Sequence, residues 1–313
     1  MRAAKLLSTT YRDFIFYASI VTCFFLSPPL ALLLGFLIAL TIGTPWQHIN
    51  HKLTKYLLQI CVVGLGFGMS IADAISAGKQ GVVFTVFSIV FTLVIGIVLG
   101  KLFKTEKKTG LLISSGTAIC GGSAIAAVSP IIDANKNQTA VALGIVFILN
   151  SIALLIFPLI GNWMSLSQSQ FGLWCAIAIH DTSSVVGAAQ KYGEEALKIA
   201  TTVKLARALW IIPLSLAIIL FTRQKGKKIK IPYFIFLFIL AMLINTYFPI
   251  IHPASALIVE IAKKGLVITL FLIGSSLSVE TIKNVGFKPL LQGFILWVAV
   301  SLVSLAAILQ NAG

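Results

Sequence analysis

A chain of 313 residues that is 58% hydrophobic and 11% charged, with mean hydropathy +1.01, has too little polar side chain to coat a soluble globule of its size. Its formal charge of +15 does not indicate nucleic acid, because Lys and Arg punctuate apolar runs instead of clustering on a solvated face. Lipid is then the main solvent, and with no water there for backbone groups, apolar runs of roughly 20 residues must be helical. The expected fold is all-α: a polytopic membrane helix bundle.

Arg2, Lys5 and Arg12 precede the apolar run Phe14 to Leu26, as in a signal peptide, but no small-residue cleavage motif follows, so a retained first helix is expected. Further apolar segments lie near 28–44, 53–72, 81–100, 110–132, 138–161, 171–190, 197–221, 231–248, 256–279 and 289–309. By length these make about ten or eleven crossings. The first two segments are short and are divided by Ser27, Pro28 and Pro29, which leaves a re-entrant pair open. Connections are short throughout, so one transmembrane domain over 1–313 is expected, with N-terminal helices in 1–44 and a core in 53–309. Cys23, Cys61, Cys120 and Cys175 sit inside apolar segments without a C-x-x-C pair, which supports neither a disulfide framework nor a zinc site.

Alternating the breaks gathers Arg2, Lys5, Arg12, Lys52, Lys55, Lys101, Lys104, Lys107, Lys108, Arg223, Lys225, Lys227, Lys228 and Lys230 on one side. Lys79, Lys136 and Lys191 fall on the other. The positive-inside rule then puts the N-terminus in the cytoplasm and, for eleven crossings, the C-terminus outside. Two internal echoes appear. Ile119-Cys-Gly-Gly-Ser-Ala-Ile-Ala-Ala aligns with Ile179-His-Asp-Thr-Ser-Ser-Val-Val-Gly, and each is followed by a helix carrying a proline, Pro158 or Pro213. More weakly, Gly66, Ser70 and Gly78 echo Gly274, Ser278 and Gly286. Strict alternation makes the first echo parallel and the second inverted.

Both partners of the stronger echo interrupt apolar runs, predicting two broken helices, near 110–132 and 171–190. Paired glycines weaken a helix by up to ~1 kcal/mol each, so Gly121 and Gly122 mark the first break. A helix restarting at Ser123 would aim free N–H groups and a positive dipole end at an anion. Close helix packing by small residues is the plainer reading. In the second interruption Asp181 is expected to be a proton or cation site, the N-cap of a half-helix from Thr182, or the partner of a buried cation. Thr182, Ser183 and Ser184 offer hydroxyls to an oxyanion or cap the helix, and His180 is either structural or proton-handling. Lys204 and Arg207, three residues apart, share one helix face that must look inward. They either pair with Asp181 or lend a binding site net positive charge, and the two readings are compatible. Glu260 and Lys264 have ion-pair spacing at an interface, while Asn150, Ser275 and Ser276 are expected to hydrogen-bond between helices.

The segments Ser115-Gly-Thr-Ala-Ile-Cys-Gly-Gly-Ser-Ala-Ile-Ala-Ala, Ile179-His-Asp-Thr-Ser-Ser-Val-Val-Gly-Ala, Val203-Lys-Leu-Ala-Arg and Gly286-Phe-Lys-Pro-Leu together resemble the YeiH-type family of bacterial inner-membrane proteins, which are labelled sulfate exporters. The resemblance runs from about Leu32 onward and departs from the family at Ser184, where many relatives carry Gln. It implies similarity to bile-acid and sodium/proton transporters with crossed broken helices, a fold-level analogy.

The expected function is secondary transport of a small inorganic or organic anion across the inner membrane. Gly121, Gly122, Ser123, Thr182, Ser183, Ser184, Lys204 and Arg207 would bind it, and His180 and Asp181 would carry a coupling ion. The alternatives are a proton- or sodium-coupled transporter centred on Asp181 and a non-transporting membrane protein. No G-x-x-x-x-G-K-[ST] loop provides for nucleotide energisation within the chain, and neither an H-E-x-x-H motif nor clustered histidines support an intramembrane enzyme. No cofactor or metal is expected. The partners are the lipid bilayer and the anion, not nucleic acid, and an oligomer is left open.

Overall fold

The computed structural model describes residues 9–43, 45, 47–222, 233–276 and 286–310. Among them every regular element is helical, as expected of a polytopic bundle. The basic residues Arg2, Lys5, Arg223, Lys225, Lys227, Lys228 and Lys230, and Ser278 of the weaker echo, lie outside the described residues. Contacts gather into two compact units: Met1–Ala74 with Tyr233–Val279, and Ile75–Pro232 with Glu280–Gly313.

The first unit holds α1 (Thr9–Cys23), α2 (Pro28–Thr41), α3 (Gln47–Gly66), α12 (Tyr233–Tyr247) and α13 (His252–Ser276). Its centre is α13, which packs on both α2 and α3. Phe16, Cys23, Ala31, Ile38, Val267, Phe271 and Leu272 form a core there. Small residues permit the closest approach: a Cβ on Gly35 would overlap the Phe271 carbonyl, and one on Gly274 the Leu32 carbonyl. Lys264 Nζ donates to Phe24 O at 2.7 Å, just past the end of α1, and Glu260 pairs instead with Lys263 at 3.4 Å. Ser275 and Ser276 donate back to Leu272 O in their own helix. The pair α12–α13 is bent by 102°.

The second unit holds most of α4 (Ile71–Leu102), then α5 (Lys107–Ala118), α6 (Gly122–Val128), α7 (Lys136–Trp163), α8 (Gln168–Ala178), α9 (Thr182–Tyr192), α10 (Glu194–Ala208), α11 (Ile211–Thr222) and α14 (Phe287–Gln310). Four stretches among the described residues are long and apolar enough to cross alone: Phe84–Leu102, Lys136–Trp163, Glu194–Leu220 and Phe287–Gln310. The α12–α13 pair makes up to five.

Both sequence interruptions are chain reversals, so the apolar segments near 110–132 and 171–190 do not cross. At 1.5 Å per residue, α5, α6, α8 and α9 are each about 10–18 Å long, against a hydrocarbon core of about 30 Å. Near the first bend a Cβ on Gly116 would lie 2.9 Å from Ile125 Cδ1, nine positions further on. Lys108 Nζ donates to Asp133 O at 2.7 Å, and Gln138 Nε2 donates to the Glu106 carboxylate, so α6 returns to where α5 began. A straight crossing would put Lys108 and Asp133 more than ~30 Å apart. Near the second bend Cys175 Sγ donates to Val185 O at 3.5 Å. At its mouth Gln168 Oε1 accepts from Glu195 N at 3.0 Å, and the rings of Phe171 and Tyr192 stack at 3.8 Å.

The crossed broken helices implied by the family resemblance are thus two re-entrant helical hairpins, entering from opposite ends of α7. The stronger echo is therefore inverted, not parallel. Lys136 also changes side: the hairpin returns it to the loop of Lys101, Lys104, Lys107 and Lys108.

Candidate functional site

Capping boxes fix where the chain leaves and re-enters helix at the two ends of α7. Asn135 and Gln138 cap one another's backbone at its start, as Ser167 and Gln170 do at the start of α8. From these anchors the hairpins run inward to tips at Ile119-Cys120-Gly121 and Ile179-His180-Asp181. Gly121 takes φ 64, a conformation that side chains with a Cβ rarely adopt, and the helix restarts at Gly122. The tips touch: a Cβ on Gly121 would sit 3.0 Å from Val146 Cγ1 and 3.4 Å from both Asp181 Cβ and His180 C. Val146 and Asn150 lie near the middle of α7, which puts the meeting point at mid-membrane depth.

Each half-helix ending at a tip leaves its last carbonyls without partners. Lys204 and Arg207, both 0% exposed, supply them. Arg207 donates to Ala118 O through Nε (2.8 Å) and Nη2 (2.6 Å), and to Ile177 O through Nη1 (3.3 Å). Lys204 Nζ donates to Ile179 O at 2.7 Å and Ala176 O at 3.3 Å. One guanidinium therefore holds the C-terminal ends of α5 and α8, and each cation faces a dipole end of its own preference. Neither cation forms an ion pair with Asp181 among the described residues. Five guanidinium and three ammonium hydrogens are available, so Arg207 and Lys204 keep donors in hand.

Asp181 caps α9: Oδ2 accepts from Ser184 N at 3.4 Å and from the Ser183 hydroxyl. Its Oδ1 is buried without a partner, as are both ring nitrogens of His180. His180 N donates to Asn150 Oδ1 at 2.9 Å, the interhelical bond expected of that asparagine. Of the hydroxyls singled out from the sequence, Ser183 and Ser184 are buried, Thr182 is half-buried and Ser123 is exposed; Gly122 is half-buried. Ser115, Thr117 and Thr201 do not stand out in the sequence, and each has a buried hydroxyl oxygen without a partner. Thr117 stands just before the first break and Thr201 a helical turn before Lys204, which was the available signal.

The family model described as Conserved hypothetical protein 698 matches residues 16–293, taking in both hairpins and the helix of Lys204 and Arg207. The chain belongs to this family. It is 57% identical over 284 residues to a UPF0324 membrane protein of Bacteroides thetaiotaomicron, covering 90% of this chain and 86% of that one. A UPF0324 membrane protein of Porphyromonas gingivalis is 50% identical over 291 residues, covering 91% and 87%. One from Bdellovibrio bacteriovorus is 48% identical over 295 residues, covering 92% and 91%. No solved structure matches. Membership of a family whose relatives are named membrane proteins agrees with the apolar helices, and the matched stretch includes every residue of the tip junction.

Proposed function

We propose that this membrane protein is a secondary transporter of a small anion, with the junction of the two hairpin tips as its binding site. The supporting observation is the meeting, at the middle of α7, of two re-entrant tips from opposite ends, beside two buried cations and several buried polar atoms without partners. Non-helical backbone at membrane depth is tolerated where it lines a solute path or is enclosed in protein, and half-helix termini are a recurrent way to hold an ion there. The N-terminus of α9 presents N–H groups, Thr182 and Ser123 present accessible hydroxyls, and Lys204 and Arg207 stand behind them. Sulfate export is the finer reading that the family resemblance adds. By the positive-inside rule the mouth of the first hairpin, with Lys101, Lys104, Lys107, Lys108 and Lys136, would face the cytoplasm of a bacterial inner membrane.

Uptake by proteoliposomes containing the purified protein tests this, with labelled sulfate, sulfite, thiosulfate and small carboxylates, with and without ion gradients. Saturable flux of one anion is expected. A hydrogen bond to a charged group is worth ~1.5–3 kcal/mol, so Thr182→Val should weaken half-saturation by roughly tenfold or more. No flux from folded protein under any gradient would refute the proposal. A second reading, with Asp181 alone as a proton or sodium site, rests on the unpartnered Oδ1. It requires sodium- or pH-dependent flux that Asp181→Asn removes.

A further inference from the structure

The charges around the hairpin tips can be tallied. Lys204 and Arg207 bring two positive charges and Asp181 one negative. The C-termini of α5 and α8 each add about −0.5, and the N-termini of α6 and α9 each add about +0.5. The junction is left with about one positive charge before any solute binds. A monoanion cancels that surplus. A dianion would leave about one negative charge at membrane depth, where screening is weaker than in bulk water.

One group at the junction is built to remove the difference. Asp181 is 7% exposed and sits against Gly121 of the opposite tip. Its Oδ2 is committed to capping α9, while Oδ1 has no partner. A proton on Oδ1 therefore breaks no existing hydrogen bond and cancels one negative charge. The other titratable groups around it are His180 beside it, Cys175 on α8, Cys120 at the facing tip, and Lys204 and Arg207 on α10; α7 contributes Asn150, which does not titrate. Lys204 and Arg207 are tied to backbone carbonyls, and both ring nitrogens of His180 are unpartnered; uptake by His180 or Lys204 in place of Asp181 would survive in Asp181→Asn.

From this arrangement we infer that the junction takes up one proton, on Asp181, when it binds a dianion, and none when it binds a monoanion of the same shape. The inference rests on the anion reading above. It makes the solute's charge decide whether transport is coupled to protons.

The test uses the full chain in detergent and two tetrahedral probes, sulfate and perchlorate. Proton uptake on binding is followed with an indicator dye in weak buffer, and affinity is measured across pH. The expected result is close to one proton per bound sulfate and none per perchlorate. Sulfate affinity should rise about tenfold for each pH unit lowered while Asp181 is ionised in the free protein, and perchlorate affinity should stay level. Asp181→Asn should bind sulfate without proton uptake or pH dependence, and His180→Asn should keep both. Equal proton uptake for the two anions, or sulfate-linked uptake surviving in Asp181→Asn, would overturn the inference. The comparison of two anions on the unaltered protein stands even if the variant does not fold. If neither anion binds, the anion reading itself fails and takes this inference with it.

Discussion

Arg207 carries more of the junction than any other residue. Its three bonds satisfy carbonyls at the ends of two separate half-helices, and its own charge is compensated by the negative ends of their dipoles instead of by a carboxylate. Without Arg207 two buried carbonyls lose their donors, at about 1–3 kcal/mol each. Arg207→Met is therefore expected to lower the thermal midpoint in detergent sharply, read by intrinsic tryptophan fluorescence. Arg207→Lys should recover only part, because an ammonium cannot give Ala118 O the paired donors of a planar fork. Asn150→Leu makes a smaller, separable change: it leaves the His180 N–H buried and unpaired, at about 1–3 kcal/mol. The same fluorescence melt should place it well above Arg207→Met.

At the scale of elements, the hairpins make a claim that labelling can decide. Single cysteines at Lys104 and at Lys136 should both react with a membrane-impermeant thiol reagent from the same face, because α5 and α6 form a hairpin. A crossing helix over 107–128 would put them on opposite faces. The four native cysteines are buried, so background labelling should be low. In the first unit, Gly274→Leu should disrupt the seat of α13 on α2, since even a Cβ there meets the Leu32 carbonyl. Overpacking of this kind costs about 1–3 kcal/mol or more, visible as a lower melting temperature.

The sequence disclosed both interruptions, their equivalence, and the inward face of Lys204 and Arg207. It did so because glycine pairs, mid-run ionisable residues and i,i+3 spacing are local signals. Reversal is not local. The stretch 107–128 is apolar and long enough to cross, and hydropathy registers length without direction. Lys136 held the missing clue: treating 110–132 as re-entrant moves it to the basic side and improves the charge asymmetry. The pairing of Lys204 and Arg207 with backbone carbonyls was equally hidden, since orphan carbonyls arise only once the helix ends are known.

For the molecule as a whole, the second unit fixes an orientation that can be checked. Gln292, near the start of α14, donates to Gly96 O at 2.9 Å and Gly110 O at 3.3 Å, beside the mouth of the first hairpin. Further along, Ser301 O accepts from Trp174 Nε1 at 3.0 Å, on the hairpin entering from the other end. So α14 ends on the face opposite Lys104 and Lys136. A reporter fused after Gln310 should therefore be active on the side opposite the one where those cysteines are labelled. Finding all three on one side would contradict the course of α14.

The shared guanidinium also has a mechanical meaning. The two hairpins it grips enter from opposite faces of the bilayer, so it acts as a rivet at the midplane, loaded by a pull at either mouth. Neither tip can withdraw by a full hydrogen-bond length without surrendering a donor or dragging the other along, and the two faces of the membrane are thereby made to feel each other through one side chain.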